Sequence, residues 1–406
     1  MHRTQNTLGI LRWFTIVHLV VATPIVPVSA FAEERPIRHE IRAGLSWAQE
    51  HSNYSHYVSN GEPNPSKSES FEKNPLSITG QYTFFFTPLL PQPDVPTMLW
   101  DFYGRPTKAE LALTFQPEAQ MTNIHDDPAL GYQRRTVIDE RLRTFSVSGE
   151  HYMLPDTGIS VQYAEFQNDD SSHTQIGSAE TGSQRTDNNE GLRHQYGIGF
   201  SQYLSQNLNI RAGYERMDGE YRSRERSWKD ENPELETRYY TDSTLTGNQL
   251  SCEGTWIVNA FLGLKARYNH QNYHLKADYL PVFPKGLPGE NMLYNDDLRR
   301  HAGTLQLTLY PEHNASLWWR ATYTDESIQR TYDEIAQVVD YDRRYVQLHV
   351  GVEYDVSRAF SLQLNYGYLR RYGDVRIGED DEAVPLATYD TERNRHAITI
   401  GVIGRF

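Results

Sequence analysis

The most restrictive feature of this chain is a period-two alternation of apolar and polar residues that recurs along most of its length. In the last segment, Ile398, Ile400 and Val402 fall on one face of an extended strand. Thr399 and Gly401 fall on the other face. Successive side chains of a β-strand point to opposite sides of the sheet, so this pattern predicts strands with one apolar face.

The alternating segments form pairs joined by short turns, and the second segments of several pairs resemble one another. In each of these second segments, one face carries apolar or small side chains followed by a Tyr. The first segment of each pair ends, just before the turn, in an aromatic residue. Aromatic rings favour the two interfaces between a membrane and water, so two aromatic rows around an apolar band predict a membrane barrel wall. A soluble β-sandwich with aromatic residues capping its core is the alternative. The predicted rows consist of Tyr203, Tyr214, Trp256, Tyr268, Tyr310, Tyr323, Tyr354 and Tyr368.

Short turns alternate with long polar connections, which favours a barrel over a sandwich. We predict an all-β fold, a single transmembrane antiparallel up-and-down β-barrel of about 14 strands, within a range of roughly 12 to 16. The predicted strands lie near 37–47, 76–87, 107–116, 143–153, 158–167, 192–203, 207–217, 244–256, 260–270, 300–310, 315–325, 343–354, 359–371 and 395–406. The seven predicted extracellular loops lie near 48–75, 117–142, 168–191, 217–243, 271–299, 326–342 and 372–394.

One connection at the end with the short turns departs from this pattern. Residues 88–106 form a longer segment, rich in proline and in apolar side chains. Asp94 is placed to cap a short helix, with Pro96 in its first turn and Gly104 at its end. We expect an ordered turn at the membrane face, and the alternative is a segment folded into the barrel mouth.

The first residues have the layout of a secretory signal peptide. Arg3 and Arg12 precede an apolar run over 13–28. The small residues Ala30 and Ala32 then occupy the positions that a signal peptidase recognises. The run is shorter than the ~20 residues of a membrane-spanning helix and contains two prolines. We therefore expect a cleaved signal peptide over 1–32 and a mature barrel over 33–406.

Composition excludes several classes of protein. The net charge of −14 disfavours nucleic acid as a partner. The chain has one cysteine, Cys252, so an internal disulfide is impossible. The mean hydropathy of −0.67 is low for a membrane protein. A barrel accounts for it, because half of each strand faces a wet lumen.

The C-terminus resembles the assembly signal of bacterial outer-membrane barrels, in which an alternating last strand ends in Phe. Thr399, Gly401 and Phe406 match that signal, whereas Gly404 stands where an aromatic residue is usual. The resemblance is to this porin-like class rather than to one family. It implies the cell outer membrane of a Gram-negative bacterium as the location and insertion by the barrel-assembly machinery. It also implies contact with the lipid bilayer and with lipopolysaccharide.

No motif of the sequence specifies an enzymatic reaction. The chain lacks a G-x-S-x-G elbow, an H-E-x-x-H zinc pair, a glycine-rich phosphate loop and a cysteine cluster. His349 and Glu353 share a strand face, and we interpret them as a hydrogen-bonded pair rather than an acid–base pair. Acidic loop clusters such as Asp126–Asp127 are interpreted as solvated, with divalent-cation binding as the alternative. We expect no catalytic residue, no metal ion and no cofactor.

The strand face opposite to the apolar band carries charges of both signs. An Arg or Lys on the lipid face near the midplane costs about 2–4 kcal/mol, so these side chains are predicted to line the lumen. The predicted lumen-lining residues are Glu40, Arg42, Lys108, Glu110, Arg211, Glu215, Glu253, Lys265, Arg267, Arg320, His349 and Glu353.

A barrel of this size is wide enough for water unless loops or a connecting segment fill it. Charged side chains in a water-filled pore select ions and small polar solutes. We therefore expect a porin-like outer-membrane channel for passive diffusion of small hydrophilic solutes or ions. The alternatives are a plugged substrate-specific transporter, a non-channel barrel acting as an adhesin or scaffold, and an outer-membrane hydrolase.

Overall fold

A computed structural model shows an antiparallel β-sheet that closes on itself. The structure describes residues 36–58, 69–92, 95–127, 132–176, 183–229, 232–283, 287–288, 292–332, 337–379 and 387–406. The predicted signal peptide and Asp94 lie outside these residues. The first and last strands pair along their whole length, from Glu40 with Arg405 to Val58 with Ala387, and this pairing closes the barrel.

The wall contains 14 strands, the number that the alternation predicts. One of them, β2, has two pieces that both pair with the strands on either side of it. The strands are β1 (Ile37–Val58), β2 (Glu69–Lys73 and Leu76–Leu89), β3 (Lys108–Asp127), β4 (Tyr132–Leu154), β5 (Thr157–Ile176), β6 (Ser183–Ser205), β7 (Leu208–Lys229), β8 (Asn232–Asn259), β9 (Leu262–Phe283), β10 (Met292–Glu312), β11 (Ala315–Tyr332), β12 (Gln337–Ser357), β13 (Phe360–Glu379) and β14 (Ala387–Arg405).

Among the described residues, three small elements lie outside the wall. Leu287–Pro288 pairs with the end of β9. The connection between β2 and β3 contains a 3-10 turn, Thr97–Leu99, and one short helix, α1 (Trp100–Gly104). In the described ranges, no helix combines the length and the apolar character needed to span a bilayer.

The strands are longer than a membrane crossing requires. β8 has 28 residues, whereas about 9–11 tilted residues cross the hydrocarbon core. Each predicted strand overlaps one wall strand, but the prediction of long loops is wrong in extent. The pairing of β6 with β7, for example, continues through the predicted loops as far as Ser183 and Lys229. Antiparallel partners keep satisfying each other's backbone groups in water, so a polar hairpin extends the strand instead of ending it.

The two faces of the wall differ in character. Apolar side chains on one face are left exposed, such as Leu305 (68%) and Ile400 (60%). The other face makes contacts across intervening strands, such as Arg211 on β7 with Glu150 on β4. Only the concave side of a closed sheet brings such residues together, so the polar face lines the interior and the apolar face is the outer surface of the wall.

Five tight two-residue turns lie at one end of the barrel, between β4 and β5, β6 and β7, β8 and β9, β10 and β11, and β12 and β13. The connection between β2 and β3 and the C-terminus lie at that end too. In membrane barrels of this type the short turns face the periplasm, and we call this end the periplasmic end.

Candidate functional site: the lumen and its hatch

The connection between β2 and β3 crosses the periplasmic mouth. Leu99 packs with Ile257 of β8 and Tyr310 of β10, far around the wall from β2. The interfacial turn expected over 88–106 is therefore wrong, and the alternative of a segment folded into the mouth is what the structure shows. Its apolar side chains are buried against the inner wall there. We call residues 95–107 the hatch.

Trp100 packs the hatch against β1 and β2, close to the place where the chain leaves β2. Its ring is 3% exposed and packs with Ile37 of β1 and Phe85 of β2. The indole Nε1 donates to the carbonyl oxygens of Gln92 and Val95, at 3.2 and 3.0 Å. A buried indole with its N–H bonded fixes both the position and the orientation of the helical turn.

Arg105 ends the helical turn and ties it to a third part of the mouth. Its φ of 46° is left-handed, and α1 ends at Gly104, the residue expected at its end. The guanidinium lies 3.8 Å from the centre of the Tyr203 ring. It donates to the carbonyl oxygen of Pro155 at 2.7 Å and forms an ion pair with Asp156. The hatch is thus held by the wall on several sides.

Two residues predicted for the aromatic rows face the hatch instead. Tyr203 is 4% exposed and donates its hydroxyl to the carbonyl oxygen of Phe102 at 2.8 Å. Tyr310 is 6% exposed and packs with Leu99. Both residues lie near a strand end, as residues of the aromatic rows do. Each side chain nevertheless points inwards, because each residue directly adjoins an outward-facing one. The remaining row residues share the face of the exposed apolar side chains: Tyr214, Trp256, Tyr268, Tyr323, Tyr354 and Tyr368.

Beyond the hatch, paired charges line the interior of the wall. Lys108 forms an ion pair with Asp101 of the hatch and lies 3.7 Å from Glu150. Glu150 also accepts a hydrogen bond from Arg211 at 3.0 Å. Lys108, Glu150 and Arg211 line one cavity of about 300 Å³. This network links the position of the hatch directly to the charges of the lumen.

A second network joins the two strands that close the barrel. Arg405 of β14 lies 3.0 Å from Glu40, 3.3 Å from Glu353 and 3.5 Å from Asp355, and its side chain is 3% exposed. It also donates to the Ser361 hydroxyl at 2.6 Å. Arg405 is absent from the residues predicted to line the lumen, although the alternation places it on the polar face of the last strand.

The interpretation of His349 and Glu353 as a hydrogen-bonded pair is wrong. The Glu353 carboxylate bonds to Arg405 and accepts from the Gln363 amide at 2.6 Å. Four residues along a strand separate side chains on one face by about 13 Å, so the two groups are too far apart to bond. His349 lies instead opposite Arg320 in the pairing of β11 with β12.

The other residues predicted to line the lumen also lie on the polar face. Arg42 pairs with Glu40 at 2.6 Å, and Lys265 with Glu253 at 2.8 Å. Glu110 lines the cavity beside Lys108, and Glu215 accepts a hydrogen bond from Gln195. Arg267, Arg320 and His349 share one region of the wall, on β9, β11 and β12.

The residues of the predicted assembly signal lie at the seam between β14 and β1. The backbone N–H of Phe406 donates to the carbonyl oxygen of His39 at 2.8 Å, and its own carbonyl accepts from Arg38. Thr399 donates to the Ser46 hydroxyl at 3.0 Å. The Phe406 side chain is exposed on the outward face. A role in assembly stays a prediction.

No protein-family model matches the chain, and no curated protein is similar to it. Among solved structures, a Pseudomonas aeruginosa FadL homologue has a TM-score of 0.52 and 11% identity, covering 91% of this chain and 90% of that one. A mutant of the monoaromatic hydrocarbon channel TodX has a TM-score of 0.50 and 9% identity, covering 92% and 91%. The Pseudomonas putida toluene transporter TodX has 9% identity, the same coverage and a TM-score of 0.49. The first two of these likenesses show that the chain has the fold of bacterial outer-membrane β-barrels.

Proposed function

We propose that this chain is an outer-membrane channel for small polar solutes and that the hatch narrows its periplasmic mouth. The supporting observation is the lumen itself. Charged and amide side chains surround it, from Glu40 and Arg42 on β1 to Glu353 on β12. A polar solute loses part of its hydration in a narrow pore, and such side chains compensate for that loss.

The hatch determines how much of the mouth is open. The hatch joins β2 to β3, so an opening movement would leave it attached to the barrel. Its attachment at Arg105 consists of polar contacts, whereas its attachment at Leu99 and Trp100 consists of apolar packing. Polar contacts exchange with water more readily than buried apolar ones, so we expect the hatch to open first on the side of Arg105.

A second candidate function is transport of a specific apolar substrate through a plugged barrel. The apolar side chains of the hatch favour it, and one structural neighbour, TodX, is described as a monoaromatic hydrocarbon channel. The charged lumen favours polar solutes instead. A hydrocarbon forms no hydrogen bonds with ion pairs such as Lys265–Glu253, and displacing the water around these charges costs free energy.

Single-channel recording in a planar bilayer tests the proposal, with the refolded chain and the variant Arg105→Asn. Asn adopts left-handed φ more readily than most residues and lacks the guanidinium, so it preserves the backbone while releasing the hatch. We expect steady openings of the wild-type channel and larger or more frequent openings of Arg105→Asn. The control is Arg299→Gln, which changes an exposed residue on the outward face of β10.

The outcomes separate the parts of the proposal. A folded wild-type barrel that shows no openings and does not admit a pentose into vesicles contradicts the channel. Openings that are identical in Arg105→Asn and the wild type contradict the role of the hatch. Vesicles that take up toluene but exclude the pentose favour the apolar transporter.

A further inference from the structure

Most inward-facing cations whose side chains the structure describes have a carboxylate partner. Arg211 bonds to Glu150, Lys265 to Glu253, and Arg330 to Asp296 at 2.7 Å. The pattern is the expected one, since an unpaired charge in a confined lumen keeps only part of its hydration. The exceptions are therefore informative.

Among the described residues, four arginines of the lumen depart from the pattern, namely Arg193, Arg267, Arg320 and Arg395, and we consider the pair on β9 and β11. In the described part of the chain, no carboxylate lies within 4.0 Å of Arg267 or Arg320. Arg320 donates twice to the amide oxygen of Gln306, at 2.9 and 2.7 Å, and Arg267 donates to that of Asn269 at 3.0 Å. Amide oxygens orient a guanidinium but do not neutralise its charge.

These arginines act on each other. The positive charge of Arg267 repels that of Arg320. Glu253 stands directly opposite Arg267 in the sheet and attracts Arg320, but it forms its 2.8 Å ion pair with Lys265. Only β10 separates the two arginines: Arg267 pairs in register with Thr304 of β10, and Arg320 with Gln306, two residues further along. Glu253, beside Arg267, is already paired with Lys265.

His349 and Trp318 complete the surroundings. His349 lies opposite Arg320 across the pairing of β11 with β12, and its ring occupies the space over Gly367, where a Cβ would come within 2.8 Å of Nδ1. The Trp318 ring centre lies 5.1 Å from the Arg320 guanidinium. The region therefore offers cationic donors, an imidazole and one aromatic surface.

We propose that Arg267, Arg320 and His349 form a binding site for the carboxylate of a small organic acid. A carboxylate accepts paired hydrogen bonds from a guanidinium and relieves the repulsion between the two arginines. Trp318 provides contact for the apolar part of the acid. The proposal deepens the proposed function, on which it rests, by naming the class of solute that passes the lumen.

Calorimetric titration of the refolded barrel in detergent tests the site without requiring conduction. Benzoate is the probe, inorganic phosphate supplies the same oxyanion chemistry without an organic part, and toluene supplies the ring without the charge. We expect one benzoate site per barrel and weak or no binding of phosphate and toluene. Removing a charged hydrogen bond weakens binding by about tenfold or more, and we expect this of Arg320→Gln and Arg267→Gln. The control is Arg299→Gln.

Each outcome bears on the proposal. Loss of benzoate binding in both lumen variants, with the control unchanged, supports it. No binding to the wild type, or equal binding to Arg320→Gln, overturns it. Phosphate binding tighter than benzoate overturns the assignment to organic acids, and toluene binding as tight as benzoate overturns the role of the arginines. A barrel that binds benzoate but shows no openings contradicts the channel and leaves the site standing.

Discussion

The two ends of the barrel hold their charged residues in different surroundings. At the periplasmic end, the Arg405 side chain is 3% exposed and lies 3.5 Å from Asp355. Towards the extracellular end, Arg344 lies 3.7 Å from Asp325, with side chains 68% and 58% exposed. The distances to these two carboxylates are similar, so the cases differ in burial and in the number of partners, of which Arg405 has more. Water screens the exposed pair, whereas the buried arginine has only the protein to solvate it.

This difference indicates where the barrel is rigid. The buried network of Arg405 closes the wall at the end where the hatch docks, and it gives the hatch a firm frame. The ion pairs of the extended hairpins at the other end keep polar strands soluble and in register at little energetic cost. We therefore expect substitutions to matter far more at the periplasmic end.

The largest effect is expected for Arg405→Ala. It leaves Glu40, Glu353 and Asp355 close together without their shared cation, and breaking a buried ion pair costs about 3–5 kcal/mol. Urea unfolding in phospholipid vesicles, followed by tryptophan fluorescence, measures the loss. An unfolding midpoint equal to that of the wild type would show that the network contributes nothing to stability.

A smaller effect is expected for Tyr203→Phe at the same end. The variant keeps the ring beneath Arg105 but removes the hydroxyl that donates to the carbonyl oxygen of Phe102. A buried acceptor left without its donor costs about 1–3 kcal/mol. Hydrogen exchange of the hatch amides should become faster, while the exchange of the wall strands stays unchanged. Faster exchange throughout the barrel would contradict a local role for this bond.

The exposed pair at the other end provides the contrast. Arg344→Ala removes the partner of Asp325, and we expect a loss of at most about 1 kcal/mol, because exposed ion pairs are screened by solvent. The same urea titration measures it, and added salt should reduce the difference further. A loss as large as that of Arg405→Ala would refute burial as the cause of the contrast.

The smallest effect concerns the hatch at alkaline pH. Burial raises the pKa of Tyr103, whose hydroxyl donates to the side-chain oxygen of Asn207 at 3.4 Å. Its folded-state pKa lies above the unfolded value of about 10. The neutral phenol therefore contributes its full stabilisation of the closed hatch below that pH, and this stabilisation is lost as the pH rises through the folded pKa. We expect channel openings to become more frequent there in the wild type. Tyr103→Phe should lack this change, and an unchanged response would assign it to another group.

Most of the wall was predictable because alternation is a local property. A strand such as β14 shows which side chains share a face without reference to any other strand, and the same rule places Arg211 and Glu215 inside. The wrong predictions relied on how near a residue lies to a strand end instead of on the face to which its side chain points. Tyr203 and Tyr310 stand at strand ends, as girdle residues do, yet their faces point inwards to the hatch.

Strand ends were harder to predict for a different reason. The polarity of segments such as 217–243 predicts loops, but polarity does not end a strand. Hydrogen bonding between neighbouring strands depends on backbone groups and continues in water, so β7 and β8 stay paired through most of that segment.

The sequence by itself determined the number of strands and which side chains share a face, because the period of a strand relates neighbours along the chain. The tertiary structure decided which charges meet. Arg405 reaches Glu40 only because the barrel closes, and Arg267 and Arg320 repel each other only because β9 and β11 are held near one another. The path of the hatch was decided in the same way. Leu99 and Trp100 are apolar in either arrangement, and only the closed wall supplies a mouth in which to bury them.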